Sequence, residues 1–518
     1  MKTLSGLDAT FLYLETPETP MHVGSLHLYE LPKGFRGSFH RAVQDHIAGR
    51  LHLAPIFTRR LAFMPFDMGH PMWVEADEVD LDFHIRKAPG AKLTVRQVEA
   101  AAAKLHAELI DRNHPLWQFT IFDNVAPPKG MAVEGRLVAF HSRIHHAALD
   151  GKGGTVLANA ILDLTPVPRE VAPADPSRRG RSGADLRIGE MIGAVFSNSL
   201  AQYAKLARTL PAAAGSIGGL ARQSITRTKA PVQLAPRTIF NVGITARRSF
   251  ATATLPFAQA RAVAKAAGGS FNDVVLWVCA TALREYLHAH GTVPRKPLVA
   301  AMPVSLREES NKELNNQASL SLVQLGTHLA DPKARMQAIL ESTGKVKEAL
   351  SGLKSVLPTD YPSLMAPWLV GGAGRLALKT YGSAGIAERL PALANVAISN
   401  VPGPQMPLYL AGARMLTFHP LSIILHGMAL NITIQTYAGR VDFGLIADPA
   451  ALPQLQQLAS GLEKAFEQAV EVFGTEAPTA AAPATAAPAK PAPRKRAAKT
   501  KPPSPRKPAA KPQRKQAA

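Results

Sequence analysis

A chain of 518 residues with 46% hydrophobic content can form several cores, roughly three domains at ~150 residues each. Its 59 Lys and Arg outnumber 38 Asp and Glu, giving a formal charge of +21, and its one cysteine, Cys279, excludes a disulfide framework and a cysteine-rich zinc site. The excess charge is concentrated. Residues 176–250 hold 12 basic and two acidic side chains, and residues 475–518 hold 11 basic and one acidic, leaving 36 basic against 35 acidic in the other 399 residues. The pattern predicts a near-neutral body with two basic attachments that seek polyanions, either nucleic acid or an anionic lipid surface.

In chain order, the opening MKTLSGLDATFLYLET carries Asp8 and Glu15 within its apolar stretch, so no signal peptide is expected. Alternation predicts strands at 24–31, 117–122 and 137–144, and helical spacing predicts helices at 39–51 and 94–109. In the basic segment, Ile188, Met191, Ile192, Val195, Phe196, Ser199, Tyr203, Leu206 and Leu210 recur at helical spacing up to Pro211. This amphipathic helix either packs on the body or lies in a membrane interface. Further on, Ser270 as N-cap and Asp273 three residues later predict a helix reaching about His288, with Cys279 a buried structural thiol. Strands are predicted at 298–303, 318–325, 395–399, 423–436 and 441–446, and a last helix at 450–472. The longest uncharged stretch, 415–439, contains Pro420, His426, Asn431 and Gln435, whereas a membrane-spanning helix needs ~20 mostly apolar residues. From Thr475 the chain is rich in Ala, Pro and Lys and, proline aside, lacks any aromatic or aliphatic residue larger than Ala, a composition expected to be disordered. The expected organisation is therefore a mixed α/β protein with domains at 1–174 and 249–474, a basic linker at 175–248 and a tail at 475–518, intracellular and not membrane-spanning.

The sharpest chemical signal is His145-His146-Ala147-Ala148-Leu149-Asp150-Gly151, between the strand at 137–144 and a helix starting near Gly154. A neutral imidazole on such a loop can take a proton from a hydroxyl that attacks an acyl carbonyl. Gly151 allows a positive φ at the turn, and Asp150 can anchor the loop on an arginine, with Arg307 a candidate. No metal is expected, because adjacent histidines in a strand point to opposite faces. Other signals have plain structural readings. Asp273 serves as a helix cap or a binding group, Trp117 as channel wall or core, His419 and His426 as core, and Ser399-Asn400 before Val-Pro-Gly-Pro as a turn.

Together these segments resemble the bacterial wax ester synthase/diacylglycerol acyltransferase family, within the wider group of CoA-dependent acyltransferases that share HHxxxDG. The resemblance rests also on Leu4-Ser-Gly-Leu-Asp-Ala-Thr-Phe-Leu with Pro20-Met-His-Val-Gly24, on Pro115-Leu116-Trp117, on Asn272-Asp273-Val-Val-Leu, on Met302-Pro-Val-Ser-Leu-Arg307 and on Ser399-Asn-Val-Pro-Gly-Pro404. It covers residues 1–473 and leaves out the tail. It implies two chloramphenicol-acetyltransferase-like domains around a channel, with acyl-CoA entering on one side and a lipid alcohol on the other. It implies His146 as general base, His145 as its support and Asp150 as a structural anchor. Asn272, Asp273, Trp117 and Gly151 become candidate substrate-binding residues, with Asn272 a candidate oxyanion donor. The reaction it implies forms triacylglycerol, wax ester or both without an acyl-enzyme, with acyl-CoA as co-substrate and no cofactor. The expected location is cytoplasmic, peripheral to the inner membrane or to lipid inclusions, and the tail can bind nucleic acid non-specifically. The rival readings are an HHxxxDG enzyme acting on another lipid or a carrier-bound acceptor, and a non-catalytic lipid-inclusion or nucleoid-associated protein.

Overall fold

The computed structural model describes residues 2–63, 70–90, 92–149, 153–174, 234–305, 318–353 and 392–474. Asp150, Gly151 and Arg307, the linker helix expected at 188–210 and the tail at 475–518 lie outside the described residues.

The first half contributes β1 (Lys2–Thr3), β2 (His22–Glu30), β3 (Arg59–Ala62), β4 (Met72–Glu75), β5 (Ile85–Lys87), β6 (Trp117–Val125) and β7 (Leu137–His145). The second contributes β8 (Ser249–Pro256), β9 (Val299–Ser305), β10 (Ala318–Gln324), β11 (Val396–Val401), β12 (Tyr409–Leu410), β13 (Ala413–Met415), β14 (His419–Leu421), β15 (Leu430–Tyr437) and β16 (Arg440–Ala447). They form two large mixed sheets. One runs β12-β13-β2-β7-β6-β5 with β14 also paired to β2, and the other runs β10-β9-β11-β15-β16-β8. A small sheet, β1-β4-β3, lies apart from these. The mixed α/β reading holds.

In the first sheet, β7 is central and every one of its residues is buried. Its alternation explains how both faces are covered. Val138, Phe140 and Ile144 pack with Phe39, Val43 and Ile47 of helix Phe39–Ala48. Leu137 and Ala139 join the other core, which includes Val98, Ala102 and Ala103 of helix Val95–Ala107 and the apolar residues of the second sheet. One core therefore spans both halves of the chain. Helix Phe271–His290 lies within it, and the run from Asp273 to Leu283 is buried all round, as an unbroken apolar helix must be. Cys279 belongs to that run, and burial pushes its thiol up to about 12. Helix Leu455–Phe473 is amphipathic instead, burying Leu455, Leu458, Ala459, Leu462, Ala465, Phe466 and Ala469 at spacings of three and four.

The strands β12, β13 and β14 cross from the second half into the first sheet. Their short length and interrupted pattern hide them from a sequence reading. At the crossing, Pro420 pairs with Ser25 on one side, while its carbonyl lies so close to Gly444 of β16 that a Cβ there would sit 1.7 Å from it. Only glycine fits that approach. Three expected elements are corrected here. The strand expected at 423–436 begins only at Leu430, because Leu425–Met428 form a turn with Gly427 at φ 82°. That turn also removes His426 from any strand, where its Nδ1 accepts from the Ile244 N–H at 3.1 Å. Ser399 and Asn400 are in β11, paired parallel with Thr433 and Ile434, so the turn starts after Val401.

The helix that follows the histidine loop, Gly153–Ile161, is anchored at its far end by a buried ion pair. Arg50 grips Asp163 with two hydrogen bonds, of 3.1 and 3.0 Å, and Arg169 adds a third contact at 2.8 Å. Arg50 and Asp163 are only 3% exposed. Removing one partner of such a pair strands the other charge. Asp163→Ala should therefore destabilise the protein by about 3–5 kcal/mol. The check is the urea midpoint, and an unchanged midpoint would show that Arg50 finds equivalent partners.

Candidate active site

Strand β7 ends by delivering two histidines in succession. His145 is fully buried, and His146 opens a short 3₁₀ turn, His146–Ala148, that keeps some solvent contact. Both are held through their backbones. The His145 N–H donates to the Leu116 carbonyl at 2.9 Å, and the His146 N–H donates to the Met21 carbonyl at 2.8 Å. Ala147 packs beneath them on Leu4, Ala9, Leu12, Leu61, Ile110 and Leu116.

Four separated segments meet here. Helix Gly6–Leu14 starts at Ser5, whose hydroxyl accepts the Asp8 N–H at 3.1 Å, a standard N-cap. One turn on, Phe11 stacks on the His146 ring, centroids 3.9 Å apart at 16°. The Pro-Leu-Trp element acts through Leu116, which supplies both a carbonyl and packing under the loop. Trp117 is wholly buried in the core of the first sheet, donating from Nε1 to the Phe57 carbonyl at 3.2 Å and stacking on His84. It presents no surface to a channel in this structure. Glu15, absent from the candidates named above, also belongs to this cluster. Its carboxylate lies 3.3 Å from His145 Nε2, accepts the Met21 N–H at 3.0 Å and pairs with Arg112 at 2.8 Å. A clue was legible in the pattern: an acid closing an apolar helix and followed by Thr-Pro is an odd place for an unpaired charge.

The second half supplies a separate group. Asp273 is buried and fully occupied as the cap of its helix. Its Oδ2 accepts from the Ser270 N–H at 2.8 Å and hydroxyl at 2.6 Å, while its Oδ1 accepts from Thr343 at 2.8 Å. Asn272 accepts at Oδ1 from the Asn400 amide, a long contact of 3.4 Å that joins the helix start to β11. Among the described residues, no hydrogen bond or ring contact links Asn272 or Asp273 to the histidine loop.

The electrostatics keep the imidazoles neutral. Burial pulls His146 down to about 4. Burial, and after it the charge of Arg143, holds His22 and His141 near 3, and burial does the same to His27. Arg143 itself is buried, bonded to Gln118, to the carbonyls of Leu105 and Glu108 and to the Glu108 carboxylate. Burial would raise Glu15, but its contacts with His145, Arg112 and the Met21 N–H outweigh that and bring it to about 2. Among the described residues, no group of three His, Cys, Asp or Glu side chains is placed to hold a metal ion.

The structure thus places a histidine loop at the end of a central strand, in a protein of two mixed sheets. The wax ester synthase/diacylglycerol acyltransferase catalytic domain matches residues 4–275, and the WS/DGAT C-terminal domain matches residues 314–469. A putative diacylglycerol O-acyltransferase of Mycobacterium tuberculosis H37Rv is 34% identical over 91% of this chain and all of its own length. The O-acyltransferase WSD of Acinetobacter baylyi is 31% identical over 90% of this chain and 96% of its own. Among solved structures, the wax ester synthase/diacylglycerol acyltransferase of Marinobacter aquaeolei VT8 superposes with a TM-score of 0.63 at 26% identity, covering 92% of this chain and all of that one. The chain belongs to the wax ester synthase/diacylglycerol acyltransferase family and is an acyltransferase acting on lipids.

The buried histidines make acid lability a direct consequence. The unfolded chain protonates these rings near pH 6.5, whereas His22, His27 and His141 in the folded chain resist to about 3. Their stabilising effect is complete above pH 6.5 and is lost as pH falls towards 3. Each ring contributes a slope of about 1.4 kcal/mol per pH unit once the unfolded chain is protonated. The urea midpoint should therefore drop clearly between about pH 7.5 and 5, and a flat midpoint would contradict the burial argument.

Proposed function

We propose that this enzyme transfers the acyl group of a long-chain acyl-CoA to the hydroxyl of diacylglycerol, of a long-chain fatty alcohol, or of both, with His146 as general base. The observation that carries the reading is His146 itself, held at its backbone N–H by the Met21 carbonyl, its ring stacked on Phe11 and kept neutral by burial. A neutral imidazole at working pH accepts the proton of the acceptor hydroxyl as its oxygen attacks the thioester carbonyl. The tetrahedral intermediate collapses by breaking the carbon–sulfur bond, and the imidazolium returns the proton to the departing CoA sulfur. The products are an ester and free CoA, with no acyl-enzyme and no cofactor. With its oxygen taken by Asn400, the Asn272 amide offers its NH₂ group to the oxyanion. Names of relatives support both acceptors, since one is a putative diacylglycerol acyltransferase and the solved neighbour is a wax ester synthase/diacylglycerol acyltransferase.

The direct test is purified protein with palmitoyl-CoA and either hexadecanol or diacylglycerol, with products resolved by chromatography and CoA release followed by a thiol reagent. His146→Ala should lower turnover by ~10²–10⁴-fold with the fold intact. Near-wild-type turnover would remove His146 from the base role, and no transfer by the wild type to either acceptor would remove the function.

Acceptors of this kind partition into lipid, and the basic segments provide attraction for a lipid surface. We place the enzyme in the cytoplasm, peripheral to the inner membrane or to lipid inclusions. The 11 basic residues of 475–518 can each add at most ~1 kcal/mol next to an anionic bilayer. Deleting 475–518 should weaken sedimentation with anionic vesicles at low salt and spare turnover on detergent-dispersed acceptor. Undiminished sedimentation would assign the contact to the other basic segment, 176–250.

A further inference from the structure

The Glu15 carboxylate touches every segment that fixes the histidine loop, although it reacts with nothing. It closes helix Gly6–Leu14, the helix whose Phe11 stacks on His146. Its Oε1 accepts the Met21 N–H at 3.0 Å, and the carbonyl of that same Met21 accepts the His146 N–H at 2.8 Å. Its Oε2 accepts from Arg112 at 2.8 Å, and the same Arg112 nitrogen donates to the Leu12 carbonyl at 2.9 Å. Arg112 also belongs to the segment that leads into Leu116, the partner of the His145 backbone. Glu15 is 7% exposed, so these bonds are shielded from water.

The proton on His145 follows from its two neighbours. Its Nδ1 accepts the Ala147 N–H at 3.1 Å and must be unprotonated. A neutral imidazole then carries its proton on Nε2, the nitrogen 3.3 Å from Glu15 Oε1. With the Ala147 N–H on Nδ1, the Glu15 carboxylate 3.3 Å from Nε2 favours the same tautomer of His145 electrostatically, and that tautomer in turn receives the N–H of the turn that bears His146.

We propose that Glu15, paired with Arg112, is a positioning residue for acyl transfer. It fixes the His145 tautomer and, through Met21, the place of His146. The proposal rests on the reading of His146 as the base. A base displaced by about 1 Å can cost ~10²-fold in rate.

The experiment uses the full-length protein carrying Glu15→Gln and Glu15→Ala, with palmitoyl-CoA and whichever acceptor the wild type uses. Glu15→Ala should lower kcat about 10²-fold with KM for palmitoyl-CoA within about twofold. Glu15→Gln keeps an acceptor oxygen for Met21 and should recover part of the loss, which a merely structural role would not reproduce at equal melting temperature. Because a loosened loop admits water to His146, the acid limb of kcat/KM should move from about 4 towards 6.5. Imidazole nitrogen NMR supplies a readout independent of turnover. His145 should show a protonated Nε2 in the wild type and a mixture of tautomers in the Gln variant, and this reading stands even if Glu15→Ala does not fold. Wild-type kcat in both variants, or a wild-type His145 tautomer and pH profile in Glu15→Gln, would overturn the proposal. Failure of the wild type to transfer acyl groups would overturn the function instead, and leaves the tautomer measurement to decide the clamp.

Discussion

Two residues in succession at the end of a strand face opposite ways, and the site follows from that constraint. His145 takes the inward direction and becomes part of the interior, with no exposed surface. His146 is left for the loop side, where the chain turns into a 3₁₀ segment. A strand buried on both faces can deliver this pair only if its last residues stay in register. The antiparallel pairing of β7 with β2, from Glu30↔Leu137 to His22↔His145, carries that register through to the last residue. Beyond it the sheet ends, and two single backbone bonds, to Leu116 and Met21, take over. The neighbouring segments matter because each supplies one of those carbonyls.

Burial without charge sets the chemistry of this region. Imidazoles surrounded by protein stay neutral, and a neutral imidazole is the form a base needs. The exceptions are instructive. Arg143 remains charged in the interior only because Gln118, Glu108 and two backbone carbonyls surround it. Glu15 remains charged because Arg112 and a backbone N–H meet it. A buried charge survives where several donors or acceptors converge on it and nowhere else. Such convergence also makes these groups rigid, so the same contacts that satisfy a charge also hold the loop.

The histidine pair, the central strand and the capped helix at Ser270 were legible because each is a local pattern: a motif, an alternation, a box of side chains three residues apart. The capping box formed as its spacing implies, with reciprocal bonds between Ser270 and Asp273. What was not legible depends on contacts distant in sequence. Glu15 meets His145 across 130 positions, and the local pattern that marks it as an odd surface acid says nothing of this partner. The three-residue strand β14 has no periodicity to detect, and it exists because β2 and β16 flank it. Trp117 reads equally as wall or core until the fold shows Phe57 and His84 around it. The motif to which it belongs did point to the site, but through the backbone of Leu116.

The sharing of strands limits how far the two halves can separate. Separating the two halves of the chain as rigid bodies would break the pairing of β13 and β14 with β2. It would also break the bond from His106 Nε2 to the Ser422 carbonyl at 3.2 Å. Several of these groups are buried, so each would lose a partner without gaining water until the opening was complete. The common core adds a cost proportional to the apolar area exposed. Access to the histidine loop must then come from side chains and loops at the rim while the sheets stay joined. On that account the two halves act as one rigid frame.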